Sequence, residues 1–313
     1  IQVDGSVDKQ QLDNKFIVAR YMPNTPEVEL KTVFLGVVEA EQSGAKGLLQ
    51  CIISVLSRVS APLDKLTGIS TDGESANTGR NGGLWKLVSE HTGRDILTVW
   101  CACHRSDLAM ESIEACVAEL GIWKVNLKAM AQYFRVSGKR TKKLSDFAKA
   151  DDNQKPLHFP RFFEVRFAEH LKDLLAACLS NLNWCRSVWE SLQNEGERRE
   201  KAEATGFLNT WKSGSMQLWL SGLMFDVCCV FTSLEKGLQK SDLILPDVVT
   251  LRDGALRKLE LMKDSPFPGG MEEKYDLPDT QWAHGARFNK FVTTSRSAAA
   301  VRTEIVAAAT NFL

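Results

Sequence analysis

Two acidic residues stand where short apolar runs give way to polar ones. Asp4 lies in the opening segment QVDGSVD, and Asp72 follows the apolar run LTGIST and precedes a glycine-rich stretch. If the strands that carry them are neighbours in one sheet, the two carboxylates repel each other or share a divalent cation. Mg²⁺ prefers oxygen ligands and often uses one or two carboxylates with a substrate phosphate. The alternative is that both aspartates, and Asp8 nearby, only form turns and helix caps.

A second cluster with chemical potential is TVWCACHR, which places Cys101, Cys103 and His104 after another apolar run. Thiol and imidazole groups bind zinc, but a structural zinc site needs four ligands and the other histidines are isolated in the sequence. Three interpretations remain: a zinc site, a strand end with one satisfied histidine, or Cys101 and His104 facing a nucleic-acid groove. The glycine-rich stretch GESANTGRNGG lacks both common nucleotide-binding patterns, so we reject a phosphate-binding loop there.

The elements that must position these residues alternate in a recognisable order. Runs of β-branched and aromatic residues predict five strands, at 1–7, 15–22, 31–40, 66–71 and 96–101. Apolar residues at three- and four-residue spacing predict helices at 44–59, 83–91 and 107–120. Three strands followed by βα alternation predict a mixed α/β sheet with packed helices. Pairing of the first and fourth strands would bring Asp4 and Asp72 together.

Beyond residue 121 the pattern becomes almost entirely helical, so we divide the chain into an α/β domain over 1–121 and an all-helical domain over 122–313. The segment GKRTKK holds the densest positive cluster, formed by Lys139, Arg140, Lys142 and Lys143. This cluster either holds phosphates or is the solvated face of a helix. Four tryptophans at helical spacing predict core packing rather than base stacking.

Composition narrows the class of protein. Hydrophobic residues make up 44% of the 313 residues and charged residues 25%, which is typical of a globular protein. Lys+Arg and Asp+Glu both number 39, so any nucleic-acid surface must be a local patch. We find no apolar run near the roughly 20 residues that cross a bilayer, and we expect no membrane partner. The eight scattered cysteines favour reduced thiols in an intracellular protein.

Four segments, taken together and in order, resemble the RNase H-like domain of hAT-superfamily DNA transposases. They are QVDGSVDKQQLDNKFIVARYM, STDGESANTGRNGG, WCACHRSDLAMESI and RFFEVRFAEHLKDLL. The resemblance extends over essentially the whole chain and is nearest to transposase-derived host proteins. It implies an RNase H-like core with a helical insertion, two bound Mg²⁺ or Mn²⁺ ions, cleavage and strand transfer of DNA phosphodiesters, and a nuclear location.

The resemblance also assigns roles to individual residues. Asp4 and Asp72 match the first two of three catalytic acids, with Asp8 as the substitute for Asp4. Cys101 and His104 match a Cys-x-x-His signature near the flipped base or hairpin at a transposon end. The family's Arg-Trp pair is here Arg166-Phe167, in which Phe still offers a ring for stacking. The third acid, a glutamate after the insertion, has Glu304 as its only candidate in the tail, but its surroundings resemble insertion sequence. We therefore expect that acid, and the final catalytic helix, to lie beyond Leu313 or to be lost.

Two functions are compatible with this pattern. One is a transposase catalytic core that acts on transposon ends or host DNA. The other is a domesticated, catalytically inactive descendant that serves as a DNA- or protein-binding scaffold, with chromatin or SUMO-pathway proteins as partners. A homo-oligomer is a further expected partner in either case. A purely structural helical adaptor is the third hypothesis.

Overall fold

The computed structural model of this chain describes residues 1–24, 29–161, 167–240, 242–275 and 297–313. These residues form two compact units. The first contains 1–105 together with 238–245, and the second contains 106–237 together with 246–313. The first unit is therefore built from two separate stretches of the sequence.

The first unit is organised around a five-stranded mixed sheet. Its strands are β1 (Gln2–Val7), β2 (Asp13–Tyr21), β3 (Lys31–Glu39), β4 (Gly68–Thr71) and β5 (Leu97–Trp100). Their spatial order is β3-β2-β1-β4-β5. The first three pair antiparallel, whereas β4 pairs in parallel with both β1 and β5. Gln2 lies opposite Ser70, which confirms the predicted pairing of the first and fourth strands.

Helices of the first unit pack on the sheet through their apolar residues. They are α1 (Gly44–Arg58), α2 (Ser75–Thr78) and α3 (Leu84–Thr92), with a 3₁₀ turn at Leu63–Lys65. Val3, Ile17 and Ile69 from three adjacent strands join the apolar residues of α1 and α3 in one core. Full burial of each such side chain contributes about 1.5–3 kcal/mol. Because side chains alternate along a strand, the sheet also carries exposed apolar residues such as Phe16 and Val99.

The second unit contains helices only, apart from one 3₁₀ turn, within the residues that the structure describes. The helices that lead into or form it are α4 (Ala102–Cys116), α5 (Ala118–Arg135), α6 (Gly138–Ala150), α7 (Phe167–Ser180), α8 (Leu182–Glu195), α9 (Arg198–Thr210), α10 (Met216–Leu238), α11 (Leu245–Leu261) and α12 (Ala298–Phe312). The 3₁₀ turn is Glu272–Lys274.

Two helix boundaries differ from the sequence prediction. α4 begins at Ala102 rather than 107 and stops at Cys116, because the extended backbone of Val117 separates it from α5. Gly121, where we placed the domain boundary, lies inside α5, while the compact units divide between Arg105 and Ser106. α5 and α6 are separated near Ser137, whose side chain caps α6 by accepting the Arg140 backbone N–H.

Helix α10 is the central helix of the second unit. By length and composition alone, Met216–Leu238 is apolar enough to cross a membrane, a property that our inspection of the sequence missed. However, 83% of its most apolar window is buried inside the protein, as expected of a core helix. Trp189, Trp211 and Trp219 are also fully buried, which confirms their predicted core role, whereas Trp184 is partly exposed and donates to Asp151 Oδ2 at 2.8 Å.

A buried polar contact ties α10 to the later part of the unit. The Asp226 carboxylate on α10 accepts the backbone N–H groups of Met271 and Glu272, each at 2.8 Å. Glu272 is fully buried and pairs with Arg302 of α12, with 2.7 Å between Oε1 and the guanidinium. Three separate segments are thus joined by charge-assisted hydrogen bonds, which are roughly twice as strong as neutral ones.

Candidate functional site

A cavity of about 310 Å³ lies along β1 and at the end of β4. Asp4 and Asp72 both line it, so the two strands bring these aspartates to one place. Asp13, Lys15, Glu74 and Asn77 also line the cavity. The site is therefore rich in carboxylates, with one ammonium group and one amide beside them.

Asp72 is held by hydrogen bonds on one side only. Its Oδ1 accepts the backbone N–H of Glu74 at 2.9 Å and the side-chain amide of Asn77 at 2.7 Å. This geometry is the turn-forming role that we considered as the alternative for Asp72. The other oxygen, Oδ2, accepts no hydrogen bond from the residues that the structure describes. Oδ1 of Asp72 thus forms the turn, and Oδ2 can accept a ligand.

In Asp4, too, only one of the two carboxylate oxygens accepts a hydrogen bond. Its Oδ1 accepts the backbone N–H of Gly5 at 2.8 Å, and no described residue donates to Oδ2. The Lys15 ammonium lies directly over Gly5, where a Cβ atom would be 2.7 Å from Nζ. Lys15 also pairs with Asp13 at 2.7 Å. A protein cation therefore lies at the cavity, and its recorded partner is Asp13.

Asp8, the substitute for Asp4, has a different role. Its Oδ1 accepts the backbone N–H groups of Gln10 and Leu12, at 2.7 and 3.0 Å, in the turn that connects β1 to β2. Asp8 is not among the residues that line the cavity. Of the two aspartates in DGSVD, Asp4 is the one at the site.

Asn77 is a site residue that our sequence analysis missed. It is 7% exposed, and its Oδ1 atom is buried without a hydrogen-bond partner in the described part of the chain. Its Nδ2 holds Asp72, and the residue lines the same cavity. The only signal in the sequence was its position five residues after Asp72 in the polar stretch GESANTG.

These oxygens suit a hard divalent cation. Two carboxylates and one amide oxygen are the ligand types that Mg²⁺ and Mn²⁺ prefer, and Mg²⁺ usually keeps several waters besides one or two carboxylates. Over the described ranges, no group of three or more His, Cys, Asp or Glu side chains is arranged to hold a metal. A divalent cation at this cavity would therefore have the two aspartates, supplemented by Asn77, as its ligands, and within the described residues Cys101, Cys103 and His104 are not arranged as a metal-binding group.

Cys101 directly follows β5 and extends its pairing with β4. Its backbone N–H donates to the Thr71 carbonyl at 2.7 Å, so Cys101 lies beside the residue that precedes Asp72. A hydrogen bond from Cys103 is the main cause that lowers the pKa of Cys101 to about 6, with help from the backbone N–H groups of His104 and Cys103. Burial and the negative charge of Asp4 oppose this shift.

Trp100 packs the end of β5 against the loop that follows Asp72. A methyl group on Gly73 would overlap the indole ring at Cζ2 and Cε2, so only glycine fits beneath it. His104 lies next to the same indole, with 6.3 Å between ring centroids, and the Arg105 guanidinium is 5.9 Å from it. His104 therefore belongs to a partly exposed aromatic and cationic surface at this strand end.

The basic cluster lies on α6 in the second unit, and two of its members have acidic partners. Lys139 is 3.6 Å from Glu200, and Arg140 is 3.1 Å from Glu203. The Arg140 guanidinium also lies 3.7 Å from the centroid of the Tyr133 ring, so it has a structural role. The exposed Lys142 and the partly exposed Lys143 remain the members available for phosphate.

The other predicted residues have the following positions. Arg166 lies outside the described residues, and Phe167 is the first residue of α7, with its side chain outside them. Glu304 lies on α12 in the second unit, whereas the residues lining the cavity all fall between 3 and 77. The predicted roles of these three residues stay predictions.

No protein-family model matches this chain, and no curated protein matches it significantly.

Proposed function

We propose that this chain carries part of a DNA-processing site of the hAT transposase type, with Asp4 and Asp72 as ligands for Mg²⁺ or Mn²⁺. The observation that carries the proposal is the parallel pairing of β1 with β4, which places both aspartates in one cavity. Each of them keeps one carboxylate oxygen that accepts no hydrogen bond from any described residue. Such a pair is what a divalent cation and a phosphodiester require.

The strand order supports an RNase H-like identity for the sheet. An antiparallel set of three strands is followed by two parallel strands added on the far side of β1. The first and fourth strands pair as the sequence predicted, and the strand order puts the acid-bearing strands β1 and β4 in the interior of the sheet. The fold class stands as a mixed α/β sheet, and its RNase H-like character is part of the proposal.

The residues at this site have different roles. The Glu74 backbone N–H and the Asn77 amide fix the orientation of Asp72, so its second oxygen is preorganised for a ligand. Lys15 offsets part of the negative charge of the carboxylates and gives a phosphate a cationic neighbour. When bound, divalent ions supply positive charge at the attacking and leaving oxygens of phosphoryl transfer. Cys101 and His104 lie at the adjoining strand end, where the DNA strand would pass.

Binding of Mn²⁺, measured by calorimetric titration, tests the proposal. We expect Asp72→Asn and Asp4→Asn each to weaken Mn²⁺ binding at least tenfold, because each removes a charged ligand. Asp8→Asn is the matched control, since it alters an aspartate in a neighbouring turn outside the cavity. Unchanged affinity in Asp72→Asn would contradict the proposal. Cleavage of hairpin or transposon-end DNA in Mn²⁺, lost in the same two variants, then tests the chemistry.

A scaffold without catalysis is the second candidate, and two observations favour it. Among the described residues, no acid from beyond residue 77 lines the cavity, so the third acid that the resemblance implies has no counterpart there. The sheet also exposes large apolar side chains, namely Phe16, Phe34, Val37, Leu97 and Val99. An exposed apolar surface of this kind is typical of a protein-binding face, for a chromatin or SUMO-pathway protein or for a second copy of the chain. Salt-sensitive DNA binding with no cleavage in Mn²⁺ would favour this candidate.

A further inference from the structure

Two thiol groups meet at the junction between β5 and α4. Cys101 is the residue after β5, and Cys103 lies in the first turn of α4. The two side chains are joined by a hydrogen bond between their sulfur atoms. Both are partly exposed, so small reagents reach them from solvent. The side-chain amide of Gln239 lies 3.9 Å from Cys103 Sγ and donates to it.

Cys101 is held in a form that reacts readily. Hydrogen bonds from the Cys103 thiol and from the backbone N–H groups of His104 and Cys103 stabilise its negative charge and lower its pKa to about 6. Burial and the charge of Asp4, on β1, act in the opposite direction but do not cancel the effect. At neutral pH the thiolate, which is the nucleophilic form of cysteine, is therefore the main form of Cys101.

No other pair of cysteines in the chain combines these properties. Cys228 and Cys229 are adjacent in sequence on α10, but burial raises the pKa of both. Cys178 and Cys185 are buried in the second unit, and burial raises their pKa as well. These thiols are protonated at neutral pH, and all of them except the partly exposed Cys229 are buried, so they react less readily than Cys101.

We propose that Cys101 and Cys103 form an oxidant-sensitive dithiol, which hydrogen peroxide converts into a disulfide at the junction of β5 and α4. Because Trp100 precedes Cys101 and packs on Gly73, the modification occurs one residue away from the contact that supports the Asp72 loop.

The reaction has two balanced steps. The Cys101 thiolate attacks one oxygen of the peroxide, the O–O bond breaks, and the other oxygen leaves as hydroxide, which takes up a proton to form water. The Cys103 sulfur then attacks the sulfur of the Cys101 sulfenic acid, the S–O bond breaks, and a second water carries away that oxygen with the Cys103 proton. Two thiols lose two hydrogens, and one peroxide is reduced to two waters.

Mass spectrometry of the whole chain after peroxide treatment tests this directly. Trypsin cuts after Arg94 and Arg105 and releases the peptide 95–105, which contains these two cysteines and no others. We expect this peptide to lose two hydrogens before the peptide with Cys228 and Cys229 changes. We also expect iodoacetamide to alkylate Cys101 with a half-maximal rate near pH 6. Free glutathione, measured alongside as the reference thiol, should still gain reactivity well above neutral pH.

Two serine variants provide the controls. Cys103→Ser should abolish the two-hydrogen loss and leave a Cys101 sulfenic acid that dimedone traps, because the resolving thiol is gone. Cys229→Ser should leave disulfide formation in peptide 95–105 unchanged. The proposal is overturned if this peptide stays reduced while the exposed Cys116 is oxidised. It is also overturned if the two cysteine pairs oxidise at the same rate, or if Cys101 alkylation follows the pH profile of glutathione.

Discussion

At the scale of single residues, a glycine controls how Asp72 is presented. The Trp100 ring lies against Gly73 so closely that a methyl group has no room. We expect Gly73→Ala to displace the indole or the Asp72 loop, to cost about 1–3 kcal/mol of stability, and to weaken Mn²⁺ binding. Gly82→Ala, in the loop between α2 and α3 and with open space around its Cβ, is the matched control. Thermal melts and Mn²⁺ titration compare the two, and equal behaviour would show that the Trp100 contact is not a constraint.

The sequence alone did not predict all of the side-chain partners. The types and spacing of Asp4 and Asp72 predicted that they meet, because parallel neighbouring strands end at the same edge of a sheet. The role of Asn77 depends on a turn geometry that composition does not encode. Arg140 looked like a free member of a basic cluster, but its acidic partner Glu203 is 63 positions away in the sequence. Such long-range pairs produce no local sequence pattern from which they could be predicted.

At the scale of elements, periodicity predicted the sheet and most helices. Strands with alternating or β-branched residues, and helices with strong apolar spacing such as α1, were recovered within a few residues. The start of α4 was missed because Ala102–Ser106 has no apolar repeat, and that turn is shaped by hydrogen bonds to the Cys101 sulfur. The end of α4 was missed because a single extended residue, Val117, separates two apolar patterns that read as continuous.

The contact between α10, the turn at residues 271–272 and α12 gives a prediction at the same scale. Arg302→Met leaves the fully buried Glu272 without its guanidinium, so we expect a loss of about 3–5 kcal/mol in unfolding free energy. The double variant Arg302→Met/Glu272→Leu removes both charges and should recover most of that loss. Urea denaturation of the three proteins measures it. A single variant as stable as the original chain would refute the importance of this pair.

At the scale of the whole molecule, the two units are assembled from interleaved parts of the chain. Residues 238–245 belong to the first unit, although residues 106–237 before them belong to the second. Within the first unit, the Arg20 guanidinium donates to the Leu243 carbonyl at 2.6 Å. No local feature of the sequence reveals the segment 238–245, because its contacts are with residues more than 130 positions earlier.

The pH dependence of stability gives the last prediction, and it depends on Glu235 of α10. Burial, together with the negative charges of Asp107 and Glu169, raises the pKa of Glu235 to about 8, and Lys172 only partly opposes this. The folded protein therefore keeps the proton over a range in which the unfolded chain, with a glutamate pKa near about 4.3, has released it. Stability from this group is greatest below that lower value and falls as the pH rises towards 8.

Replacing the carboxyl by an amide should remove this dependence. We expect Glu235→Gln to unfold at a higher temperature than the original chain at pH 8, by the equivalent of about 1–3 kcal/mol, since partial exposure screens the charges. At pH 4 the two proteins should unfold at nearly the same temperature, because Glu235 is then protonated in the folded protein and mostly protonated in the unfolded chain. Glu190→Gln, on the exposed side of α8, should change neither result. If Glu235→Gln shifted the melting temperature equally at both pH values, the effect would come from packing and not from the proton.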